Sequence, residues 1–543
     1  MEKVSFTPDQ QNAIDARGGT LLVSAAAGSG KTAVLVERVI QRILDPLSPV
    51  DADRLLVVTF TNAAAQEMKS RISSRLEEMS RSDPSNLRLS RQLLLMDQTS
   101  ISTIDSFCMN LIRGNFQKLD IPPDFRVMDE KEGALLKNEA LEEVIEECYR
   151  QDDGVFTSLV ELLSGGRDDS QLFGAVQQLY QFLRSHAFYE QWLAEQLAAY
   201  NPQTSPSETR WAAILYARAR DTAAFCLTKA EEALRLCQGD DKLESAYRDA
   251  LEDDAAYCRH LLDLFGGKPD WDSVYREVRD HAFPRLKALR GYESDGTKER
   301  VSELRDNLKK QLGGLEELFC TDSKGFREDI EDLRPKIQRL FEITLKFGRR
   351  FSLKKAERRA LDFSDLEHYA LALLYDTDSE GLHRPSPLAG ELSQRYEEIL
   401  VDEYQDTNEA QDSIFSALAR EEGNRFMVGD VKQSIYRFRQ AMPELFMKKS
   451  AEYTPYDGKT FPAKITLGKN FRSRREITEG VNLLFRELMQ EKTAEIQYGK
   501  DQELVAGADY PLLEGGNPLP EAVLLEIGDS ERDQAEAEYT AEQ

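Results

Sequence analysis

The sequence has few cysteines and histidines and no long hydrophobic run. Its 6 cysteines and 5 histidines are dispersed along 543 residues, and no two cysteines have CxxC spacing. This distribution argues against a disulfide framework and against a zinc site. No apolar run reaches about 18 residues, and the N-terminal MEKVSFTPDQQNAID lacks the apolar core of a signal peptide. We therefore expect a cytoplasmic protein with reduced thiols and no membrane association.

The sequence also has fewer basic than acidic residues. It contains 70 Lys and Arg residues and 97 Asp and Glu residues, which gives a formal net charge of −27. Such acidity argues against non-specific coating of DNA. It does not exclude nucleic acid, because a channel of backbone amides, aromatic rings and a few basic residues can lie on an acidic protein.

What the sequence does contain is the pattern of an α/β protein. Four short apolar stretches each lead into a polar or glycine-containing turn, as buried strands of a parallel sheet do: LLVS (21–24), LLVVTF (55–60), EILV (398–401) and RFMVG (425–429). Between about residues 118 and 355, amphipathic helical patterns such as 132–150 and 299–319 dominate. An all-helical insertion that splits the α/β domain is the simplest description.

This pattern predicts three units and their limits. We expect an α/β P-loop domain in two parts, a helical insertion between them, and the start of a second α/β domain after the loop YTPYDGKTFP. The predicted limits are 1–117 and 356–452 for the first domain, 118–355 for the insertion and 453–543 for the second domain. The last residues, DSERDQAEAEYTAEQ, form a helix-like pattern without a cap, so we expect the sequence to be truncated.

A phosphate-binding loop follows the first predicted strand. Residues 25–32 read AAAGSGKT, and small residues there let backbone N–H groups turn towards phosphate oxygens at the start of a helix. Lys31 is expected to neutralise the β- and γ-phosphates of ATP, and the Thr32 hydroxyl to bind Mg²⁺. The loop residues expected to contact the nucleotide are Ala25, Ala26, Ala27, Gly28, Ser29, Gly30, Lys31 and Thr32.

Two adjacent carboxylates follow the strand EILV. Adjacent acidic residues are ordinarily a solvated turn, but the apolar strand before Asp402 and Glu403 favours a buried site at the strand's end. We expect Asp402 to bind Mg²⁺ and Glu403 to act as the general base that polarises the attacking water.

Three further side chains are candidates for the nucleotide site. Gln433, after the strand RFMVG, is placed to sense the γ-phosphate or the water. Gln10, before the first strand, carries an amide that can pair with adenine. Arg472 lies beyond the predicted second boundary, and an arginine that enters from a neighbouring domain would make hydrolysis depend on domain closure.

Aromatic and hydroxyl residues recur near the ends of these strands. Rings stack on bases without reading sequence, and hydroxyls and amides hold phosphates. Taken singly, each ring is better explained by a core position, but the segment QSIYRFR joins rings to the predicted nucleotide sensor. The candidates for contact with DNA are Phe60, Thr61, Asn62, Thr103, Ser106, Phe107, Tyr436 and Phe438.

The ordered motifs resemble those of the UvrD/RecB-like superfamily 1A helicases. The motifs are FTPDQ, AAAGSGKT, TFTNAAAQEM, STIDSFC, DFSDL, VDEYQDT, GDVKQSIYRFR and NFRS. Within that family, the amino-acid sequences of the motifs VDEYQDT and GDVKQSIYRFR and the long helical insertion resemble most closely those of the AddA-type subunits of AddAB helicase–nucleases. The resemblance implies a RecA-like fold for the α/β domains.

The same resemblance implies an activity and partners. It implies an ATP- and Mg²⁺-dependent motor that moves 3′→5′ on single-stranded DNA, acts at duplex DNA ends in double-strand break repair by recombination, and forms a heterodimer with an AddB-type subunit. It assigns Gln10 to adenine, and Lys31, Thr32, Asp402, Glu403, Gln433 and Arg472 to the ATPase site. Arg439 would link nucleotide to DNA.

The sequence departs from the family pattern in places. Asp105 stands where relatives often carry histidine, and Ala33 where UvrD-type members carry arginine. Later helicase motifs and a nuclease domain are not in the sequence, so we expect no nuclease activity and at best weak ATPase activity from it. Two other interpretations stay open: a stand-alone UvrD-type repair translocase, and a scaffold that binds DNA or a partner without hydrolysis.

Overall fold

A computed structural model describes residues 5–151, 153–164, 168–289, 292 and 296–511. The chain divides into two compact units. The first comprises residues 1–140, 178–189 and 349–543, and the second comprises residues 141–177 and 190–348. The predicted helical pattern at 529–543 lies outside the described residues.

A seven-stranded parallel sheet organises the first unit. Its strands in chain order are β1 (Leu21–Ala25), β2 (Leu55–Thr59), β3 (Ser100–Thr103), β4 (Glu398–Val401), β5 (Arg425–Gly429), β6 (Thr454–Pro455) and β7 (Ala463–Leu467). Their order across the sheet is β6-β7-β1-β5-β4-β2-β3. The predicted α/β fold with a RecA-like parallel sheet is confirmed. The strands β4 and β5, from the far side of the insertion, lie between β1 and β2.

Alternating side chains bury both faces of this sheet, as the strands' continuous apolar sequences predict. Leu22, Met427 and Ile399 belong to the hydrophobic core on one face. Val23 and Val428 belong to the core on the other face. Helices cover each face, so the sheet positions the loops at its carboxyl edge rigidly.

The strand β7 differs from the prediction. A second domain was expected to start at residue 453, yet β7 pairs in parallel with β1, in the register Leu21↔Ala463 to Ala25↔Leu467. The strand is apolar at alternate positions, and it therefore completes the core beside β1. The sheet has no break at the predicted boundary.

The helices of the first unit surround the sheet, and some limits of the units fall within helices. The helices of the first unit are Pro8–Asp15, Lys31–Leu44, Asn62–Ser82, Leu87–Leu95, Ile104–Asn115, Phe363–Leu374, Pro387–Arg395, Glu409–Leu418, Pro443–Glu452, Arg475–Leu488 and Glu491–Ala494. Such limits fall within the helices Glu130–Arg150, Ser170–Leu183 and Ser323–Glu357. Short strand pairs join Arg126–Val127 to Ala360–Leu361, Tyr375–Thr377 to His383–Pro385, and Lys469–Asn470 to Val505–Ala506.

Within its described residues, the second unit is helical. Its helices are Gly154–Ser164, Tyr189–Ala199, Arg210–Cys237, Asp241–Phe265, Trp271–Asp280, Thr297–Gly313 and Leu315–Leu318. Small side chains such as Ala219, Ala223 and Ala230 are buried along one of these helices, which allows close packing against its neighbour. Among the described residues of the whole chain, no helix is both long and apolar enough to cross a membrane.

Residues 118–140, 178–189 and 349–355 fall inside the predicted insertion but belong to the first unit. A buried ion cluster contributes to holding the second and third of these segments there. Lys355 lies 2.9 Å from Asp362 Oδ2 and 2.5 Å from Asp365 Oδ2, and Arg184 lies 3.1 Å from Asp365 Oδ1. Although burial opposes ionisation, Lys355 lowers the pKa of Asp362 to about 2. Asp362 also caps the helix Phe363–Leu374, so the DFSDL motif is accounted for by this structural role.

Candidate nucleotide and DNA site

The phosphate-binding loop connects β1 to the helix Lys31–Leu44. Ala25 ends the strand, fully buried, and Gly28 and Gly30 have φ angles of 70° and 82°. Glycine tolerates this left-handed region, which turns the loop back on itself before the helix begins. Ala26 and Ser29 are buried, while Ala27, Lys31 and Thr32 are half-buried.

The structure brings Lys31 and Glu403 together although 372 residues separate them in sequence. Lys31 Nζ donates to Glu403 Oε2 at 2.8 Å. Glu403 follows β4 directly and has a left-handed φ of 49°, a conformation that costs a non-glycine residue free energy and is typical of functional sites. The chain therefore holds this carboxylate in a specific orientation beside the lysine.

Asp402 lies at the end of β4, where its backbone N–H pairs with Val58 O on β2 at 2.9 Å. Burial, and then repulsion from Glu403, raises the pKa of Asp402 to about 6. Burial and Glu403 likewise raise the pKa of Asp406 to about 6. Glu403 is therefore close enough to both Asp402 and Asp406 to raise the pKa of each carboxyl group, while its own carboxylate contacts Lys31.

A chain of hydrogen bonds connects this acidic site to Gln433. Gln405 Nε2 donates to Glu403 Oε2 at 2.9 Å and to Asp406 Oδ2 at 3.0 Å. Gln405 Oε1 accepts from the backbone N–H of Asp430 at 3.0 Å, and Asp430 Oδ2 accepts from Gln433 Nε2 at 2.7 Å. Sequence reasoning singled out Gln433 but missed Gln405, which is 1% exposed. Its only signal was a polar residue two positions after the acid pair.

Gln10 lies against the phosphate-binding loop. Its Nε2 donates to Ser29 O at 2.9 Å, and its Oε1 accepts from Thr7 N at 2.8 Å. The same side chain thus caps the helix Pro8–Asp15 and contacts the loop, and each end of the amide has one remaining hydrogen-bonding position.

Arg472 lies beside Gly28 of the loop. It follows the strand Lys469–Asn470, and a Cβ added at Gly28 would lie 2.9 Å from Arg472 Cβ. The prediction placed this arginine in a neighbouring domain, but residues 349–543 belong to the same compact unit as the loop. The strand β7, paired with β1, carries Arg472 to the nucleotide loop.

The predicted DNA-contacting rings cluster around one arginine. The centroids of Phe60 and Tyr436 are 4.6 Å apart, and those of Tyr436 and Phe438 are 5.7 Å apart. The Arg439 guanidinium carbon lies 5.9, 5.3 and 5.8 Å from the Phe60, Tyr436 and Phe438 centroids. Phe438 is 67% exposed. These four residues, which we call the aromatic cluster, present rings and a positive charge at the surface.

The remaining DNA candidates have different environments. Thr61 and Asn62 are exposed at the start of the helix Asn62–Ser82, and Thr61 caps that helix through Ala64 N at 3.1 Å. Thr103 is buried, and its Oγ1 accepts from Ser106 N at 3.3 Å and donates to Ser106 Oγ at 2.9 Å. Thr103 therefore caps a helix. Phe107, 7% exposed, packs in the core, so its interpretation as a stacking platform is wrong.

Asp105, in the position where relatives often carry histidine, is enclosed rather than presented. Burial raises the pKa of Asp105 to about 6. Burial also raises the pKa of the nearby Glu367 to about 7, although Gln411 Nε2 donates to Glu367 Oε1 at 2.6 Å.

Comparison with known proteins identifies the class. The sequence profile described as the UvrD/REP helicase N-terminal domain matches residues 6–454. The chain belongs to this family, and the resemblance drawn from its motifs is confirmed.

Individual relatives are more specific. The chain is 40% identical over 550 residues, 99% of its length, to the ATP-dependent helicase/nuclease A subunit of Clostridium novyi. It is 42% identical over 516 residues, 93% of its length, to the protein of the same name from Bacillus licheniformis, and 40% identical over 552 residues to that of Bacillus cereus. The matched regions are 43%, 41% and 44% of those relatives, so the chain spans about two fifths of their length. The resemblance to AddA-type subunits is thereby confirmed.

Proposed function

We propose that this chain forms the ATP-hydrolysing motor of a DNA helicase that moves 3′→5′ along single-stranded DNA. In this proposal it serves a helicase–nuclease that processes DNA ends in double-strand break repair, in a heterodimer with an AddB-type subunit. The proposal is supported by the family and by the relatives, which are named as ATP-dependent helicase/nuclease subunits. The observation that carries it is the convergence of Lys31, Glu403 and Asp402 at the carboxyl edge of one parallel sheet.

The residues present fit ATP as substrate. The Ser29 hydroxyl is buried without a hydrogen-bond partner among the described residues, and Gly28 and Gly30 leave the loop without side chains at its two turns. Lys31 is paired with Glu403 in this structure. A triphosphate would compete for the Lys31 ammonium, which would release the Glu403 carboxylate to accept a proton from an attacking water.

Thr32 and Asp402 are the residues that would hold Mg²⁺. Bound there, the ion would supply positive charge that offsets the charge of the phosphates. The half-buried Asp402 beside Glu403 is suited to this role, because a divalent cation would offset the unfavourable proximity of the two carboxylates. Gln10 contacts the loop at Ser29 and Arg472 lies beside Gly28, and we assign them to adenine and to the transferred phosphate.

Coupling between ATP and DNA would use the hydrogen-bond chain described above. It begins at Glu403, passes through Gln405 and Asp430, and ends at Gln433. Residues 436–439, which contribute three members of the aromatic cluster, follow Gln433 by only three residues. A change at the γ-phosphate would thus reach a surface that stacks bases.

The test is DNA-stimulated ATP hydrolysis by the full chain, measured in single turnover so that the weak rate expected of it is resolved. We expect Lys31→Ala to lose nucleotide binding, and Glu403→Gln to bind ATP while its turnover falls by about a hundredfold or more, the usual contribution of a general base. Glu421→Gln, an exposed glutamate in the turn before β5, is the matched control and should retain wild-type turnover. Turnover that is equal in the wild type and Glu403→Gln would refute the catalytic assignment.

Direction is tested separately. Single-stranded oligonucleotides with a streptavidin block at either end distinguish the two polarities, because a translocating motor displaces the block towards which it moves. We expect displacement from the 5′ end only. Tight DNA binding without ATP turnover would favour the scaffold interpretation instead.

A further inference from the structure

The buried Asn470 holds the phosphate-binding loop and the Arg472 turn at the same time. Its Nδ2 donates to Ala27 O at 2.8 Å, across 443 residues of sequence. Its Oδ1 accepts from the backbone N–H groups of Arg472 at 2.9 Å and Ser473 at 2.7 Å. The side chain is 3% exposed, so these bonds are not shared with solvent.

The neighbouring backbone strengthens this junction. Phe471 N donates to Gly28 O at 2.9 Å, and Ala26 N donates to Leu467 O at 3.0 Å. The two segments approach so closely at Gly28 that a side chain would not fit, because a Cβ there would lie 2.8 Å from Asn470 Nδ2. The loop and the Arg472 turn are therefore in direct contact along their length.

We propose that Asn470 is a positioning residue that aligns Arg472 with the phosphate-binding loop, so that the site distinguishes ATP from ADP. This inference rests on the proposed function, since Arg472 is taken to contact the terminal phosphate. Asn470 itself acts only through the loop backbone and the Arg472 turn.

The chemistry of the side chain explains why asparagine occupies this position. One amide group provides a donor for Ala27 O and an acceptor for two N–H groups. Aspartate has the same size and keeps the acceptor, but it would direct a carboxylate oxygen at a carbonyl oxygen. Asn470→Asp should therefore open the contact with the loop while it leaves the Arg472 turn capped.

Asn482 offers a matched control in the same region. It is also buried, at 5% exposure, its Nδ2 donates to Leu504 O at 2.9 Å, and its Oδ1 accepts from Leu504 N at 2.9 Å. Asn482→Asp therefore makes the same chemical change without a bond to the phosphate-binding loop. Comparing thermal midpoints of the two variants reports the general cost of a buried aspartate.

The experiment measures the affinity of the full chain for ADP and for a non-hydrolysable ATP analogue, with Mg²⁺ present. We expect Asn470→Asp to bind the analogue about ten- to hundredfold more weakly, the range for losing one hydrogen bond to a charged group, and to bind ADP within about threefold of wild type. Asn482→Asp should retain the wild-type preference. In an Arg472→Ala background, adding Asn470→Asp should change analogue affinity by less than about threefold, because both changes remove the same contact.

The outcomes separate this inference from the proposed function. A wild-type chain that binds neither nucleotide refutes the proposed function and this inference with it. A wild-type chain that binds both, with Asn470→Asp losing affinity equally for ADP and analogue, refutes this inference alone, because a merely structural loop contact would have that effect. Additive losses in the double variant would also overturn it.

Discussion

Replacing Phe438 with alanine should weaken the binding of single-stranded DNA without destabilising the protein. The ring is 67% exposed, so its removal eliminates little packing within the chain. Its neighbours in the aromatic cluster, Tyr436 at 5.7 Å and Arg439 at 5.8 Å, can rearrange at the surface. What the variant loses is the face on which a base would stack.

The expected size of the effect follows from stacking. One base on one ring contributes about 1–3 kcal/mol, which corresponds to about 5- to 150-fold in the dissociation constant. Because stacking does not read sequence, the loss should be similar for oligothymidine and for mixed-sequence oligonucleotides. Removing Phe438 also removes no charge, so the slope of affinity against salt concentration should stay unchanged.

The assay is fluorescence anisotropy of labelled oligonucleotides at several fixed salt concentrations. Phe363→Ala is the matched control, because Phe363 is 57% exposed and begins a helix far along the chain from the aromatic cluster. It should bind DNA as the wild type does. Equal affinities for the wild type and Phe438→Ala, or equal losses in both variants, would show that the aromatic cluster does not stack bases.

Two further predictions concern the buried acid and the nucleotide loop. Burial raises the pKa of Glu367 to about 7 from 4.5, so the folded chain retains a proton that the unfolded chain releases, and the free energy of unfolding falls as pH rises across that window by about 3 kcal/mol. Asp105, Asp402 and Asp406 also have raised pKa values and add to the decline in this window, so in urea unfolding Glu367→Gln should make the decline smaller by about 3 kcal/mol. The exposed Glu357→Gln should keep the wild-type decline, and a decline of wild-type size in Glu367→Gln would contradict the reasoning. Gly28→Ala should abolish nucleotide binding in titrations, because φ is 70° and the added Cβ would lie 2.8 Å from Asn470 Nδ2. Gly18→Ala is the control, because Gly18 also has a positive φ, 93°, but no atom lies within 4 Å of the added Cβ. A nucleotide affinity of Gly28→Ala within about threefold of wild type would contradict the prediction.

The central sheet was predictable to the extent that its strands are apolar. The stretches 21–24, 55–60, 398–401 and 425–429 were recognised because both of their faces are buried, and they correspond to β1, β2, β4 and β5. The strand β3, Ser100–Thr103, has the sequence SIST and was missed as a strand because its hydroxyl side chains gave no hydrophobic signal.

The geometry of the candidate nucleotide site was predictable where a residue's position depends on its own segment. Lys31 and Glu403 follow strands whose carboxyl ends meet at one edge, and the sequence order alone indicates this. Asn470 and Gln405 were missed because their roles depend on partners that sequence spacing does not specify. Asn470 contacts a carbonyl 443 residues away, and no local pattern of apolar or polar residues encodes that distance.

Phe107 illustrates the opposite error. Its ring matched the residue types that stack on bases, but residue type does not reveal which way a side chain points. The helix Ile104–Asn115 directs Phe107 into the core and uses Thr103 as its cap, so a DNA contact by Thr103 stays a prediction. Exposure, which only the three-dimensional packing provides, separates Phe107 from Phe438.

The strand order has a consequence for synthesis of the protein. In the sheet, β5 and β4 separate β1 from β2, yet synthesis of β1, β2 and β3 is complete nearly 300 residues before β4 begins at Glu398. Until β4 and β5 have been synthesised, β1 and β2 lack the strands that pair with them in the finished sheet. We therefore expect slow strand pairing and transient exposure of apolar strand edges during synthesis.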